Sequence, residues 1–229
     1  MGELVFKGRI AVPGDLLARG LDFLPGKGTF RLNEEIRSKT VGLVKVKNKV
    51  VAVIPLAGIY SPRVGDRVIG QIKDVQVSFW LVDINSPYLA FLGVAEGTDE
   101  FVELGKTDLT RYYDVGDLIH SVVISVSKRK DVKLTMRERI CIKLQGGCVI
   151  KIAPTRVPRL IGREGSMINL IKGETGCQIR VGQNGLVWIR GDKERLAVNA
   201  IRMVERESHL EGLTERIKAM LTKGQTKGD

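Results

Sequence analysis

Ile161-Gly162-Arg163-Glu164-Gly165-Ser166-Met167 places two glycines three apart between two apolar runs. Upstream stands Val157-Pro158-Arg159-Leu160-Ile161, and downstream Ile168, Leu170 and Ile171 recur at helical spacing. Glycines let the chain reverse here with no Cβ in the way. A sugar-phosphate chain can then approach the backbone N–H groups that open the second helix, where the helix dipole favours an anion. Ser166 is the expected N-cap. A bare Gly-x-x-Gly also describes a plain corner between two helices, so its neighbours must decide.

Before it lies a strand-like run, Cys148-Val149-Ile150-Lys151-Ile152. After it come Gln178-Ile179-Arg180-Val181, the turn Gly182-Gln183-Asn184-Gly185, and Leu186-Val187-Trp188-Ile189-Arg190. Asn-Gly before an apolar run signals a hairpin. A helix is expected from Asp192, with Leu196, Ala197, Ala200, Ile201 and Val204 on one face. The order strand, helix, Gly-x-x-Gly, helix, strand, strand, helix resembles a type I KH domain (β-α-α-β-β-α). The Gly-x-x-Gly loop of that family clamps a few single-stranded nucleotides. The resemblance implies RNA contacts at Arg156, Arg159, Gly162, Arg163, Glu164, Gly165, Ser166 and Arg180. Glu164 departs from the basic residues common in such loops and sets a negative charge beside the phosphates, which Arg156, Arg159 and Arg163 can offset.

The chain has 229 residues, room for more than one domain. A net charge of +11 and a pI near 9.7 favour a polyanion, either nucleic acid or an anionic membrane surface. The longest uncharged run, residues 50–62, is too short to span a bilayer and contains prolines. The first residues lack a signal-peptide pattern, and Phe6 argues against myristoylation, so a soluble cytoplasmic protein without membrane partners is expected. Cys141, Cys148 and Cys177 form neither a disulfide framework nor a zinc ribbon, and Cys148 and Cys177, at apolar strand starts, read as small core residues. His120 and His209 are far apart, so no metal site, cofactor or catalytic residue is expected.

Residues 1–62 read as a small β domain with a basic surface, including a hairpin that turns at Lys47-Asn48-Lys49. Residues 63–137 hold five further strand candidates, at 64–72, 79–84, 88–92, 118–126 and 132–136. Such a row suggests a five-stranded Greek-key barrel and resembles an S1-type OB-fold. These barrels stack bases on aromatics beside a positive groove. Phe79, Trp80, Tyr88, Phe91, Tyr112 and Tyr113 are the aromatics available, and alternation puts Phe79 and Trp80 on opposite faces, so one of them is core. Trp80, Tyr88 and Tyr112 are taken as stacking candidates, with Lys106, Arg111 and the run Lys128-Arg129-Lys130 as phosphate contacts. Acidic residues outnumber basic ones only in this block, so RNA contacts there should be local. Residues 138–146 read as a linker, 147–210 as the KH domain, and 211–229 as a helix followed by a disordered tail.

Together the blocks form a multidomain chain, mainly β plus α/β. They resemble the S1/KH cap subunit of the archaeal RNA exosome, the ribosomal-RNA-processing-protein-four type. Val12-Pro13-Gly14-Asp15, Gly26-Lys27-Gly28-Thr29, Tyr60-Ser61-Pro62-Arg63-Val64-Gly65-Asp66 and Asn184-Gly185-Leu186-Val187-Trp188-Ile189 carry the likeness. It implies an N-terminal domain seated on a hexameric ring of RNase-PH-like subunits, with three copies per ring, alone or mixed with a zinc-ribbon cap subunit. The S1 and KH domains would take up single-stranded RNA and feed its 3′ end to the ring. Two other readings stand beside it. An S1/KH transcription elongation or antitermination factor would carry a second KH domain. A metal-dependent ribonuclease would need convergent carboxylates, whereas Asp83, Asp99, Asp114, Asp117 and Asp131 fall in no metal motif.

Overall fold

The computed structural model describes residues 3–6, 10–56, 58–100, 102–103, 105–207 and 212–225. The chain forms two compact units, Met1–Gly58 and Ile59–Asp229. The first contains β1 (Glu3–Leu4), β2 (Ile10–Ala11), β3 (Leu16–Arg19), β4 (Leu24–Pro25), β5 (Thr29–Leu32), β6 (Glu35–Ser38), β7 (Gly42–Lys47) and β8 (Val50–Pro55). They make two four-stranded sheets, ordered β1-β3-β6-β5 and β2-β7-β8-β4. The expected hairpin is present. It turns on Asn48 and Lys49 at φ 49° and 63°, the positive pair that matches the twist of the flanking strands. The core is small, built on Ala11, Leu17, Ala18, Ile36, Val51 and Val53. Strands this short leave many apolar side chains outside, among them Leu21 at 72% exposure and Leu24 at 57%.

The second unit opens with β9 (Arg67–Val75), β10 (Phe79–Asp83) and β11 (Ala90–Gly93), then a one-turn helix α1 (Val94–Gly97), β12 (Leu118–Val126) and β13 (Val132–Thr135). β9, β10 and β11 are antiparallel neighbours. β11 pairs parallel with β13, and β12 pairs with both β13 and β9, which closes a five-stranded barrel. Val68, Ile72, Trp80, Val82, Leu92, Ile119, Val123 and Leu134 fill it. Residues 138–146 are more than a link, because they hold β14 (Ile142–Leu144), a sixth strand antiparallel to the start of β12.

The rest of the unit comprises β15 (Cys148–Lys151), α2 (Val157–Ile161), α3 (Ser166–Thr175), β16 (Gln178–Val181), β17 (Leu186–Arg190), α4 (Glu194–Glu207) and α5 (Leu213–Gln225). The sheet order is β15-β17-β16. Its inner face, with Ile179, Val187 and Ile189, packs on Leu160 of α2, Ile171 of α3 and Ala200 and Ile201 of α4. This is the expected KH order. α5 adds Leu213, Ile217 and Leu221 to the same core and is fastened by an Arg216–Glu207 ion pair at 2.9 Å. α5 runs to Gln225, and residues 226–229, where the expected tail would follow it, lie outside the described residues, as does His209. Among the described residues no helix is long and apolar enough to cross a membrane.

Barrel and KH fold share a seam. Trp188 of β17 packs with Ile69 and Leu144 in a small apolar cluster, and its Nε1 donates to Gly146 O at 2.7 Å. Asn184, fully buried in the β16–β17 turn, inserts between two barrel strands. Its Nδ2 donates to Ile69 O at 2.6 Å and Ile84 O at 2.8 Å, and its Oδ1 accepts from Ile69 N at 3.3 Å. Gln183 and Arg67 exchange two further bonds, Arg67 N to Gln183 Oε1 at 2.7 Å and Gln183 N to Arg67 O at 2.8 Å. A turn legible as a hairpin is thus also the key between the two modules.

Candidate nucleic-acid interface

α2 ends at Ile161 because Gly162 leaves helical space, at φ 76° and ψ 177°. A Cβ there would stand 2.8 Å from Met167 N, so glycine is required on two counts. Glu164 (φ 53°) and Gly165 (φ 81°) are also left-handed. Ser166 is therefore not the N-cap. Gly165 completes the turn, Ser166 is already helical, and the cap carries no side-chain hydrogen bond. No side chain caps the start of α3; Ser166 N donates instead to Arg163 O, so the backbone of the turn itself closes the helix start.

Arg159, Arg163 and Glu164 are exposed around this loop, and Arg156 is half-buried at the end of the short turn that leads into α2. Arg180 sits half-buried on β16. Burial, with Arg180 close by, lowers the affinity of the Lys172 ammonium on α3 for its proton. Lys172 is a cation that helical periodicity alone did not single out, and an anion beside it would relieve the repulsion from Arg180. His120, on the barrel side of Arg180, is pushed below the ordinary histidine range by burial, and the nearby Arg180 and Arg67 add to that shift. Its Nδ1 pairs with Ile140 O at 2.9 Å.

In the barrel the structure corrects the choice of aromatics. Trp80 is fully buried, donates from Nε1 to Tyr113 O at 3.0 Å and meets the Tyr113 ring edge-on at 5.1 Å. It cannot stack on a base. Its neighbour Phe79 faces outward instead and packs edge-to-face with Phe91, ring centroids 5.5 Å apart. In register, Phe91 stands opposite Leu81 on one side and the exposed Lys133 on the other. This strip of two aromatics and a lysine offers π faces beside a cation.

The remaining S1 candidates fall at the two ends of the barrel. Ala90 pairs with Val132, so Tyr88 and the turn Lys128-Arg129-Lys130 lie at one end, all exposed. Lys106, Arg111 and Tyr112 precede β12, whose start is at the other end. Lys106 is ion-paired with Glu103 at 2.8 Å, and Arg111 lies over the Tyr112 ring at 5.2 Å. The Tyr112 hydroxyl donates to Glu100, which raises its pKa. Lys106, expected as a phosphate contact, and Tyr112, expected as a stacking ring, thus each have an acidic partner in the free protein. Phe91→Ala is expected to weaken single-stranded RNA binding about 5-fold or more, since a base–aromatic stack contributes on the order of 1 kcal/mol or above. The melting temperature should barely move. Fluorescence anisotropy with a labelled oligonucleotide checks it, and unchanged affinity would remove this strip from the interface.

Comparison with known proteins adds a second line. Residues 9–57 match the exosome RNA binding protein RRP4 N-terminal domain, residues 59–98 the RRP4 S1 domain, and residues 147–206 the KH domain. Exosome complex component Rrp4 of Pyrococcus horikoshii is 48% identical over 93% of this chain and 82% of its own length. The chain belongs to the Rrp4 family of exosome components. Another Rrp4 family member, from Methanothermus fervidus, is 45% identical over 93% of this chain and 94% of its own length. A crystal structure provisionally assigned as an exosome complex RNA-binding protein superposes with a TM-score of 0.69 at 34% identity, covering 75% of this chain and 100% of that one. Membership of the Rrp4 family sets aside the elongation-factor reading.

Proposed function

We propose that this chain is the non-catalytic RNA-binding cap of an exosome. It captures single-stranded RNA and delivers the 3′ end to a ring of RNase-PH-like subunits, on which residues 1–62 seat it. Three copies per ring, alone or mixed with a zinc-ribbon cap, complete the proposal. The observation that carries it is the Asn184-keyed seam, which holds an outward aromatic strip and the arginine-flanked Gly-x-x-Gly turn in one body. Once one face holds RNA, the other meets the same strand at a raised effective concentration. The gain should therefore appear as tighter capture and longer runs of degradation, with chemistry per bond unchanged.

The test is RNA degradation by the ring with and without this subunit, beside the subunit alone, at low and at raised salt. Stimulation that shrinks as salt rises is expected, because phosphate contacts release counterions. The subunit alone should cleave nothing. Cleavage by the subunit alone, lost on mutation of its own carboxylates, would make it a nuclease. No stimulation at either salt concentration would leave it a structural cap.

A further inference from the structure

Along the seam between barrel and KH sheet runs a groove of about 410 Å³, lined by Gln71, Asp83, Asn85 and Leu118 on one side and Val149 and Leu186 on the other. It belongs neither to the Gly-x-x-Gly loop nor to the Phe79–Phe91 strip. Val149 lies opposite Trp188 in register, so the groove borders the outer face of the KH sheet, away from its helices. On the barrel side, Leu118 pairs with Gln71 and Gln71 with Asp83, one row across the outer surface. Leu81 and then Phe79 follow from Asp83 along β10, on the same face by strand alternation. Four residues at about 3.3 Å each put the groove roughly 13 Å from Phe79. That is within reach of the next nucleotides of a strand stacked on Phe79 and Phe91.

Asn85 Nδ2 is engaged with Asn184 O at 2.9 Å, and Gln71 Nε2 donates to Gly116 O at 3.3 Å. Asp83 Oδ1 accepts from Asn85 N at 2.8 Å, while Oδ2 lies 4.0 Å from Lys73 Nζ. Lys73 also donates to Gln71 Oε1 at 2.9 Å. With one N–H of each amide engaged and the Gln71 oxygen bonded to Lys73, the Asp83 carboxylate is the strongest acceptor that a ligand meets, between aliphatic walls and beside one ammonium. Single-stranded bases are read through their Watson–Crick edges while their flat faces lie against side chains. A carboxylate acceptor makes the stronger, charge-assisted bond with an N–H donor.

We infer that this groove is a nucleobase subsite that selects bases with an exocyclic amine over uracil. The amine donates to Asp83, the ring lies between Leu118 and the Val149–Leu186 wall, and Lys73 faces the adjoining phosphate. Uracil has no amine, and its one Watson–Crick donor, N3–H, is flanked by two carbonyl oxygens that the same carboxylate would repel. The inference rests on the RNA-binding reading above and adds base selectivity to it. Cytosine and uracil oligomers of equal length separate the amine from ring size, so the full chain is titrated with labelled oligo-C and oligo-U at neutral pH. Oligo-C should bind about 3- to 10-fold tighter, the range of a single well-placed hydrogen bond. Asp83→Ala, and separately Val149→Phe, which fills the groove from the KH side, should each remove that difference and leave oligo-U binding within about 2-fold. Thermal melting of both variants verifies the fold. Equal binding of the two oligomers by the unaltered chain overturns the subsite, as does a difference that survives in both folded variants. Failure of the unaltered chain to bind either oligomer overturns the RNA-binding reading itself.

Discussion

Asn184→Ala should cost the second unit about 3 kcal/mol or more, because it strips buried partners from Ile69 N, Ile69 O and Ile84 O at once. Each buried backbone group left without a partner costs roughly 1–3 kcal/mol. For a body of this size that corresponds to a fall in melting temperature of about 6–12 °C. Asn184→Asp should be worse than alanine, despite its closer shape. It removes both donors and sets a carboxylate against two carbonyl oxygens. Calorimetry gives the stability, and limited proteolysis around residues 138–146 reports whether the modules have parted. A melting temperature within about 1 °C of the unaltered protein would mean that the apolar cluster at Trp188 holds the seam without the amide key.

Removal of residues 1–58 should abolish association with the ring while residues 59–229 still fold and bind RNA. The unit it removes has a minimal core yet leaves Ile10, Leu21, Leu24, Leu32 and Ile54 at least 48% exposed. Ile10 and Ile54 flank the exposed Leu43 in register, an apolar row of the kind that an interaction site uses. An interface anchored by several such side chains contributes well over about 3 kcal/mol, so affinity for the ring should drop more than about 100-fold. The second unit has its own barrel and KH cores and should melt cooperatively without the first. Copurification with the ring subunits, alongside an RNA-binding assay on the fragment, decides the matter. Normal assembly by the fragment would move the docking surface to the S1 or KH module.

The legible part of this chain was what its local patterns encode. The apolar, β-branched runs at residues 118–126 and 132–136, the helical spacing after Ser166 and the Asn-Gly turn yielded the barrel strands and the KH order. Alternation also said that Phe79 and Trp80 face opposite ways. It could not say which one faces inward, because the partner that satisfies the Trp80 indole is the carbonyl of Tyr113, 33 residues along. β14 escaped for a related reason. Three residues carry too short a period to read, and the strand exists only because β12 offers it an edge. Ser166 looked like a cap because its residue type favours caps, yet the two left-handed residues before it had already made the turn. Asn184 stood in plain view within a hairpin signal, and what it grips lies 115 positions away at Ile69.

The same grip turns the second unit into a caliper. Two RNA-holding faces joined by a loose tether would tolerate any length of strand between them, and affinity would climb smoothly with each added nucleotide. Faces set by a buried amide cannot slide. An oligonucleotide shorter than the gap engages one face or the other, and one just long enough engages both. Binding should rise in a step at that length, and the position of the step measures the jaw that Asn184 fixes.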